Sequence, residues 1–104
     1  NAGSFFKNPV VSTQIAQALK NAHPRMPVYD CGENRTKLSA AWLIESCRWK
    51  GKKIGHVGTY RKQPLVIVNH GGATGNEIVD FSRKIQRVVQ TSFGILLETE
   101  VNIL

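Results

Sequence analysis

The chain has 104 residues, 41% of them hydrophobic and 20% charged, which is typical of one globular domain with its own core. Fourteen Lys and Arg against seven Asp and Glu give a formal net charge of +7, which favours phosphorylated or polyanionic ligands. No apolar run approaches the roughly 18 residues of a membrane span. Cys31 and Cys47 lack metal-ligand spacing, so we expect two reduced thiols in a cytosolic protein and no metal site.

The start of the chain predicts one strand and one helix. Residues 5–11 have the composition of a strand, with Pro9 near its end because proline cannot donate to a central ladder. Ser12 can cap a helix that continues to about Asn21, and its apolar positions fall on one face, namely Ile15, Ala16, Leu19 and Ala22. The first nine residues read as a buried strand rather than a soft polar terminus, so we expect the chain to be cut from a longer one.

The middle of the chain predicts a loop, a second helix and two strands. The prolines and glycine of residues 24–36 favour a loop. Ser39 can cap a helix from Ala40 to about Arg48. Residues 54–60 and 65–68 are typical of two strands joined by a connection of hairpin length.

The last third of the chain predicts a long helix and a final strand. Thr74 and Glu77 form a capping box, and Gly94 is placed as a C-cap glycine. An apolar stripe at helical spacing lies between them, comprising Ile78, Phe81, Ile85, Val88, Val89 and Phe93. Residues 95–104 follow as a strand. The order of elements predicts an α+β fold, with about three helices packed on a small sheet in one compact domain.

Several side chains could carry chemistry, and each has a plainer interpretation. Ser4 could be a nucleophile or an acid, or a turn hydroxyl. Glu98 and Glu100 alternate along a strand, so one of this like-charged pair could act as an acid, or both could face solvent. Asn8 could contact a phosphate or be an edge residue, and Tyr29 could stack on a ligand ring or cover the core.

The basic excess is concentrated in residues 48–53, where one tryptophan is interleaved. Such a run could bind nucleic acid, or it could be a solvated loop that keeps the protein soluble. A small basic nucleic-acid-binding module is therefore an alternative function.

Four sequence blocks, in order, resemble one family. They are Asn-Ala-Gly-Ser-Phe-Phe-Lys-Asn-Pro at 1–9, Lys-Leu-Ser-Ala-Ala-Trp-Leu-Ile at 37–44, Lys50-Gly51 with Ile54-Gly55, and Leu-Glu-Thr-Glu-Val at 97–101. Over essentially its whole length the chain resembles the C-terminal, substrate-binding domain of the UDP-N-acetylenolpyruvoylglucosamine reductases. The resemblance implies that residues 1–104 are one domain of a larger flavoenzyme.

The resemblance also implies roles for individual residues. Ser4 corresponds to the general acid that protonates the substrate carbon, and Glu100 corresponds to the second catalytic residue of this domain. Asn8 is implied in holding the nucleotide diphosphate, while Tyr29 and Gln63 match positions that touch the UDP-sugar.

The implied reaction reduces UDP-N-acetylglucosamine enolpyruvate to UDP-N-acetylmuramate for peptidoglycan, in the bacterial cytoplasm, with FAD and NADPH. In the family the FAD-binding domains lie upstream, so we expect this piece alone to hold no flavin and to be inactive. Neither nucleic acid nor membrane is an expected partner under this interpretation. Relatives often carry a basic residue where this chain has Asn102, which puts one substrate contact in doubt.

Overall fold

A computed structural model describes residues 5–49, 53–54, 57–60, 63–69, 71–72 and 74–100. The elements, in chain order, are β1 (Val10–Val11), α1 (Thr13–Ala22), β2 (Val28–Asp30), β3 (Thr36–Leu38), α2 (Ala40–Ser46), β4 (Lys53–Ile54), β5 (Val57–Tyr60), β6 (Gln63–Asn69) and α3 (Gly75–Phe93). This confirms the α+β fold class. None of the helices in the described residues is long and apolar enough to cross a membrane.

Within the described residues, the strands form two small antiparallel sheets instead of the one expected. The first has the order β1-β3-β2 and contacts α1, and the second has the order β4-β5-β6 and contacts α2 and α3. Pro64 lies inside β6, which is an edge strand, where a missing backbone N–H removes no central ladder bond.

The helix boundaries follow from local capping, as the sequence predicts. The hydroxyl oxygen of Ser12 accepts from the N–H of Ile15, and that of Ser39 accepts from Trp42. At α3, the Thr74 hydroxyl accepts from the N–H of Glu77 while the Glu77 carboxylate accepts from the N–H of Thr74, both at 3.2 Å. Beyond α3 the backbone of Gly94 is left-handed, with φ at +70°, a conformation that favours glycine.

Three predicted strands and one predicted loop differ from the structure. The strand expected at 54–60 is divided into β4 and β5, which pair with each other. The expected loop at 24–36 contains strand β2 and the first residue of β3; β2 is exposed at all three positions, so no buried face marks it. The expected strand at 5–11 is reduced to β1 and an isolated bridge at Phe6. At the other end, residues 95–100 contain only the matching bridge at Thr99, and residues 101–104 lie outside the described residues.

The core brings the two ends of the chain together with the helices. Phe5 and Phe6 are almost wholly buried, and so is Leu97, which comes shortly after α3. Together with these, the buried apolar side chains include Met26, Leu38, Leu43, Ile44, Phe81, Ile85 and Val89. The core therefore includes side chains from both the first and the last described segments of the chain.

Candidate active site

The first and last described segments of the chain pair with each other. We call this pairing the terminal ladder; it joins Phe5–Lys7 to Glu98–Glu100. The backbone N–H of Lys7 donates to the carbonyl of Glu98 at 2.8 Å, and that of Glu100 donates to the carbonyl of Phe5 at 2.7 Å. Phe6 and Thr99 form the antiparallel bridge between these two bonds. The fold thus places residues from opposite ends of the sequence side by side.

Packing beneath the terminal ladder holds it in place. The rings of Phe5 and Phe6 meet edge to face with their centroids 5.2 Å apart, and both are buried. Gln86 of α3 donates from Nε2 to the carbonyl of Leu97 at 2.8 Å, which ties the second segment to the helix. The burial of Phe5 and Phe6 and the Gln86 hydrogen bond thus anchor the ladder to the domain. Its exposed residues are Lys7, Glu98 and Glu100.

Of the two predicted catalytic residues, Ser4 and Glu100, the structure describes only Glu100. Ser4 lies outside the described residues, as does Asn102. Glu100 is exposed, and its backbone is hydrogen-bonded to Phe5, the residue that follows Ser4 in the chain. The fold therefore brings Glu100 to the immediate neighbour of Ser4, which sequence order alone does not predict.

Asn8, next to the terminal ladder, already has one partner within the domain. Its Oδ1 accepts from the backbone N–H of Ala40, the first residue of α2, at 3.0 Å. That bond joins the opening segment to the end of the first sheet, since Ala40 follows closely after β3. The side-chain N–H groups of Asn8 are the part suited to a phosphate oxygen.

Tyr29 is half exposed on β2 and faces a lysine across the strand pair. Lys37 of β3 lies opposite both Tyr29 and Val10, so the three side chains project from one face of the first sheet. The Lys37 ammonium lies 5.7 Å from the centre of the Tyr29 ring. The Tyr29 ring is therefore accessible to a ligand.

Gln63 and the basic run belong to the less completely described part of the chain. The backbone of Gln63 begins β6 and pairs with Tyr60. Of the basic run, residues 50–52 lie outside the described residues. Trp49 is buried and meets Phe81 edge to face at 5.3 Å, so its ring is not available to stack on a base.

The cysteines offer no further chemistry. Cys31 is an exposed free thiol and Cys47 a partly buried one. Within the described residues, no three His, Cys, Asp or Glu side chains gather where a metal could bind.

A cleft of about 460 Å³ borders the terminal ladder, and we call it the ladder cleft. Its charged lining is Lys7, Arg35 and Glu98, and its apolar lining includes Val10, Ile15 and Leu96. The sequence places Ile15 on the core face of α1, but it is 49% exposed, and on that helix only Ala16 is buried. No local signal identifies this cleft, because its lining comes from separate parts of the chain.

Comparison with known proteins gives a match over the whole sequence. The family described as "UDP-N-acetylenolpyruvoylglucosamine reductase, C-terminal domain" matches residues 1–104. A UDP-N-acetylenolpyruvoylglucosamine reductase from Chromobacterium violaceum is 48% identical over 104 residues, which is all of this chain and 30% of that protein. Proteins of the same name from Amoebophilus asiaticus and Polynucleobacter asymbioticus are 48% and 45% identical over the same length, covering 31% and 30% of each. The chain thus spans under a third of the relatives it matches.

Proposed function

The chain belongs to the UDP-N-acetylenolpyruvoylglucosamine reductase family as its C-terminal domain, and from this premise we propose that it is the substrate-binding part of an FAD- and NADPH-dependent reductase. The reaction converts UDP-N-acetylglucosamine enolpyruvate to UDP-N-acetylmuramate in peptidoglycan synthesis, in the bacterial cytoplasm. The observation that carries the proposal is the terminal ladder, in which Glu100 is bonded to the backbone of the residue beside Ser4.

The exposed side of the terminal ladder suits a reaction shared between two parts of a protein. Lys7, Glu98 and Glu100 stand at an open edge, which can face a ligand but does not enclose one. We therefore assign the flavin to domains upstream of this segment, where, when bound, it supplies the hydride that adds to the vinyl end of the enolpyruvyl ether. This chain alone is accordingly inactive.

Ser4 is the proton donor in this scheme. Addition of hydride leaves negative charge on the adjacent substrate carbon, delocalised into its carboxylate. The Oγ–H bond of Ser4 breaks as a new C–H bond forms at that carbon, and solvent then returns a proton to the serine oxygen. Serine is a weak acid, so this step depends on holding the hydroxyl in reach of a strongly basic carbon. The buried Phe5 and Phe6 rings anchor the two residues that directly follow Ser4 in the chain.

Glu100 stabilises the same developing charge. A neutral carboxyl group can donate a hydrogen bond to the carboxylate oxygens of the enolate as their charge grows. The exposed position of Glu100 in this chain allows a second domain to cover it when the site closes.

The remaining predicted residues bind the UDP-sugar. Asn8 donates from its side-chain nitrogen to the diphosphate while its oxygen stays bonded to Ala40. Tyr29 offers an exposed ring on β2, and Gln63 at the start of β6 contributes a further polar contact.

The test is the Ser4→Ala variant of the full-length protein. We expect turnover of the enolpyruvyl substrate to fall by roughly 10²–10⁴-fold, the usual contribution of a positioned acid, while flavin reduction by NADPH proceeds at its normal rate. Stopped-flow absorbance separates the two half-reactions. Ser92→Ala, which removes an exposed hydroxyl from α3, serves as the matched control and should leave both unchanged. Unimpaired turnover by Ser4→Ala would overturn the role of Ser4.

A further inference from the structure

Another cleft, of about 430 Å³, lies between helix α1 and the hairpin of β2 and β3, and we call it the hairpin cleft. From α1 it is lined by one stripe at helical spacing, which consists of Thr13, Ala16, Gln17 and Lys20. Apolar side chains usually close the contact between a helix and a sheet, yet here Ala16 is the one apolar member of the stripe and Ile15 is 49% exposed. The contact therefore stays open and polar, with a volume in the range of small-molecule sites, roughly 300–1,000 Å³.

The hairpin cleft lies on the opposite face of the first sheet from Tyr29. Successive residues of a strand point to opposite faces, so Val28 and Asp30 face the cleft while Tyr29 faces away from it. Thr36, the partner of Asp30 across the hairpin, is only 7% exposed, and its hydroxyl lies 3.2 Å from that of Thr13 on α1. The hairpin cleft shares no lining residue with the ladder cleft, and none with the residues assigned to the UDP-sugar.

Opposite charges stand at the two ends of the hairpin cleft. At one end the half-buried Lys20 donates from its ammonium to the carbonyl of Met26 at 2.7 Å, which leaves two N–H bonds for a ligand. Asp30 lies at the other end, because its strand partner Thr36 contacts the first residue of α1. The helix rises about 10 Å between these two ends. One carboxylate oxygen of Asp30 accepts from the N–H of Gly32, and the second has no partner among the described residues.

The groups between these ends can bind the rest of a small polar molecule. The amide oxygen of Asn34 accepts from the N–H of Thr13 at 3.3 Å, so its NH₂ group is left to donate. The hydroxyls of Thr13 and Thr36 carry two hydrogens, and only one can lie in their shared bond. Ala16 and Val28 add an apolar wall. The cleft thus combines a cation, an anion, free donors and a short apolar surface.

We propose that the hairpin cleft binds a free α-amino acid with a short apolar side chain. The carboxylate of the ligand accepts from Lys20, and its ammonium group donates to Asp30. With a hydrogen bond of about 2.9 Å at each end, the remaining gap has the length of one amino acid. Phosphate is less suitable because Asp30 repels it. A flat ring is less suitable because no aromatic side chain stands among the described residues that line the cleft.

The test titrates isotope-labelled full-length protein with L-alanine and follows the backbone amide signals of Gly32 and Asn34 by NMR. We expect both signals to shift saturably, and to do so equally in the presence of UDP, because the cleft is separate from the residues assigned to the UDP-sugar. Propionate and ethylamine each lack one charged group of L-alanine. Each should bind at least about tenfold more weakly, the usual effect of losing one hydrogen bond between charged groups.

Substitutions at the two ends of the cleft test the same assignment from the side of the protein. Lys20→Met and Asp30→Asn should each weaken L-alanine binding by at least about tenfold. Arg25→Met and Glu33→Gln are the matched controls, since they remove exposed charges close in sequence but outside the lining of the cleft. Both controls should bind L-alanine as the unmodified protein does.

Each outcome decides the proposal. A saturable shift that needs both charged groups of L-alanine and both Lys20 and Asp30 supports it. The absence of a saturable shift overturns it, as does equal binding of propionate or ethylamine, or inorganic phosphate binding more tightly than L-alanine. Loss of the shift in the presence of UDP would assign the signal to the UDP-sugar site and would also overturn it. Should Lys20→Met fold poorly, the comparison of Asp30→Asn with Glu33→Gln decides alone.

Discussion

Helix α3 and the terminal ladder touch through Gln86, yet they are stabilised in different ways. Most of what defines α3 lies within the helix itself: a capping box at its start, a left-handed glycine after its end, and one buried stripe. The terminal ladder has two backbone bonds between segments from opposite ends of the chain, and depends on the burial of Phe5 and Phe6. The ends of the helix are fixed by local residues, whereas the ladder forms only when distant parts of the chain come together.

The difference shows where stability and chemistry lie. Glu100, to which we assign a catalytic role, stands on the terminal ladder, and α3 carries none of the residues to which we assign function. Regions held by few hydrogen bonds open more readily than cooperative helices do. We therefore expect changes in α3 to alter stability alone, and changes in the ladder to alter stability or turnover depending on which face they affect.

The largest stability effect should come from the buried face of the ladder. Phe6→Ala removes a ring that is 1% exposed, and we expect the free energy of unfolding to fall by about 3–5 kcal/mol. Urea denaturation measures this loss. Phe93→Ala at the end of α3 is the matched control; its ring is only partly buried, so its loss should be smaller. Equal losses for the two variants would show that Phe6 has no special part in holding the ladder.

The exposed face of the ladder should show the opposite behaviour. Glu100→Ala should lower turnover of the full-length protein by roughly 10²–10³-fold, the usual effect of losing a donor to a developing oxyanion, with the unfolding free energy nearly unchanged. Glu98→Ala removes the other exposed carboxylate of the ladder and should retain turnover. Glu100→Gln, which can still donate a hydrogen bond, should be more active than Glu100→Ala. Similar losses for the Glu98 and Glu100 variants would contradict the assignment.

The smallest effect is expected at the start of α3. Thr74→Ala removes the hydroxyl that accepts from Glu77 and should cost about 1 kcal/mol of stability, with turnover unchanged. Thr91→Ala, on the exposed surface of the same helix, should be neutral because alanine favours helix interiors. Thermal unfolding compares the two. A clear loss of turnover in Thr74→Ala would contradict the expectation that changes in α3 alter stability alone.

The same contrast explains how much of the fold the sequence predicts. The caps at Ser12, Ser39 and Thr74 depend on residues three positions apart, and all three predictions are confirmed. The hairpin of β2 and β3 was not predictable in this way, because its strands have only three residues each and β2 is exposed at all three positions. Ile15 was expected in the core for the same reason: helical spacing reveals a face but not what covers it.

The candidate site is harder still to predict. Taken one at a time, Ser4, Glu100 and Asn8 could be a turn hydroxyl, a solvent-facing carboxylate and an edge residue. Only the resemblance of the whole chain to a family assigns them functional roles. Pairing of Phe6 with Thr99 joins the two extremes of the chain, and no periodicity within a short window contains that information. The structure supplies the neighbourhood of Glu100, while the role of Ser4 stays a prediction.

The two hydrogen bonds of the terminal ladder also set how the domain responds to mechanical force. Because its two strands are antiparallel and residues 5 and 100 lie at the same end of the pair, tension applied at these residues pulls the strands apart along the direction of these bonds. The bonds then break one after another, as in a zipper, beginning with the bond between Phe5 and Glu100. A pulling experiment would therefore open the terminal ladder first and separate Phe5 from Glu100.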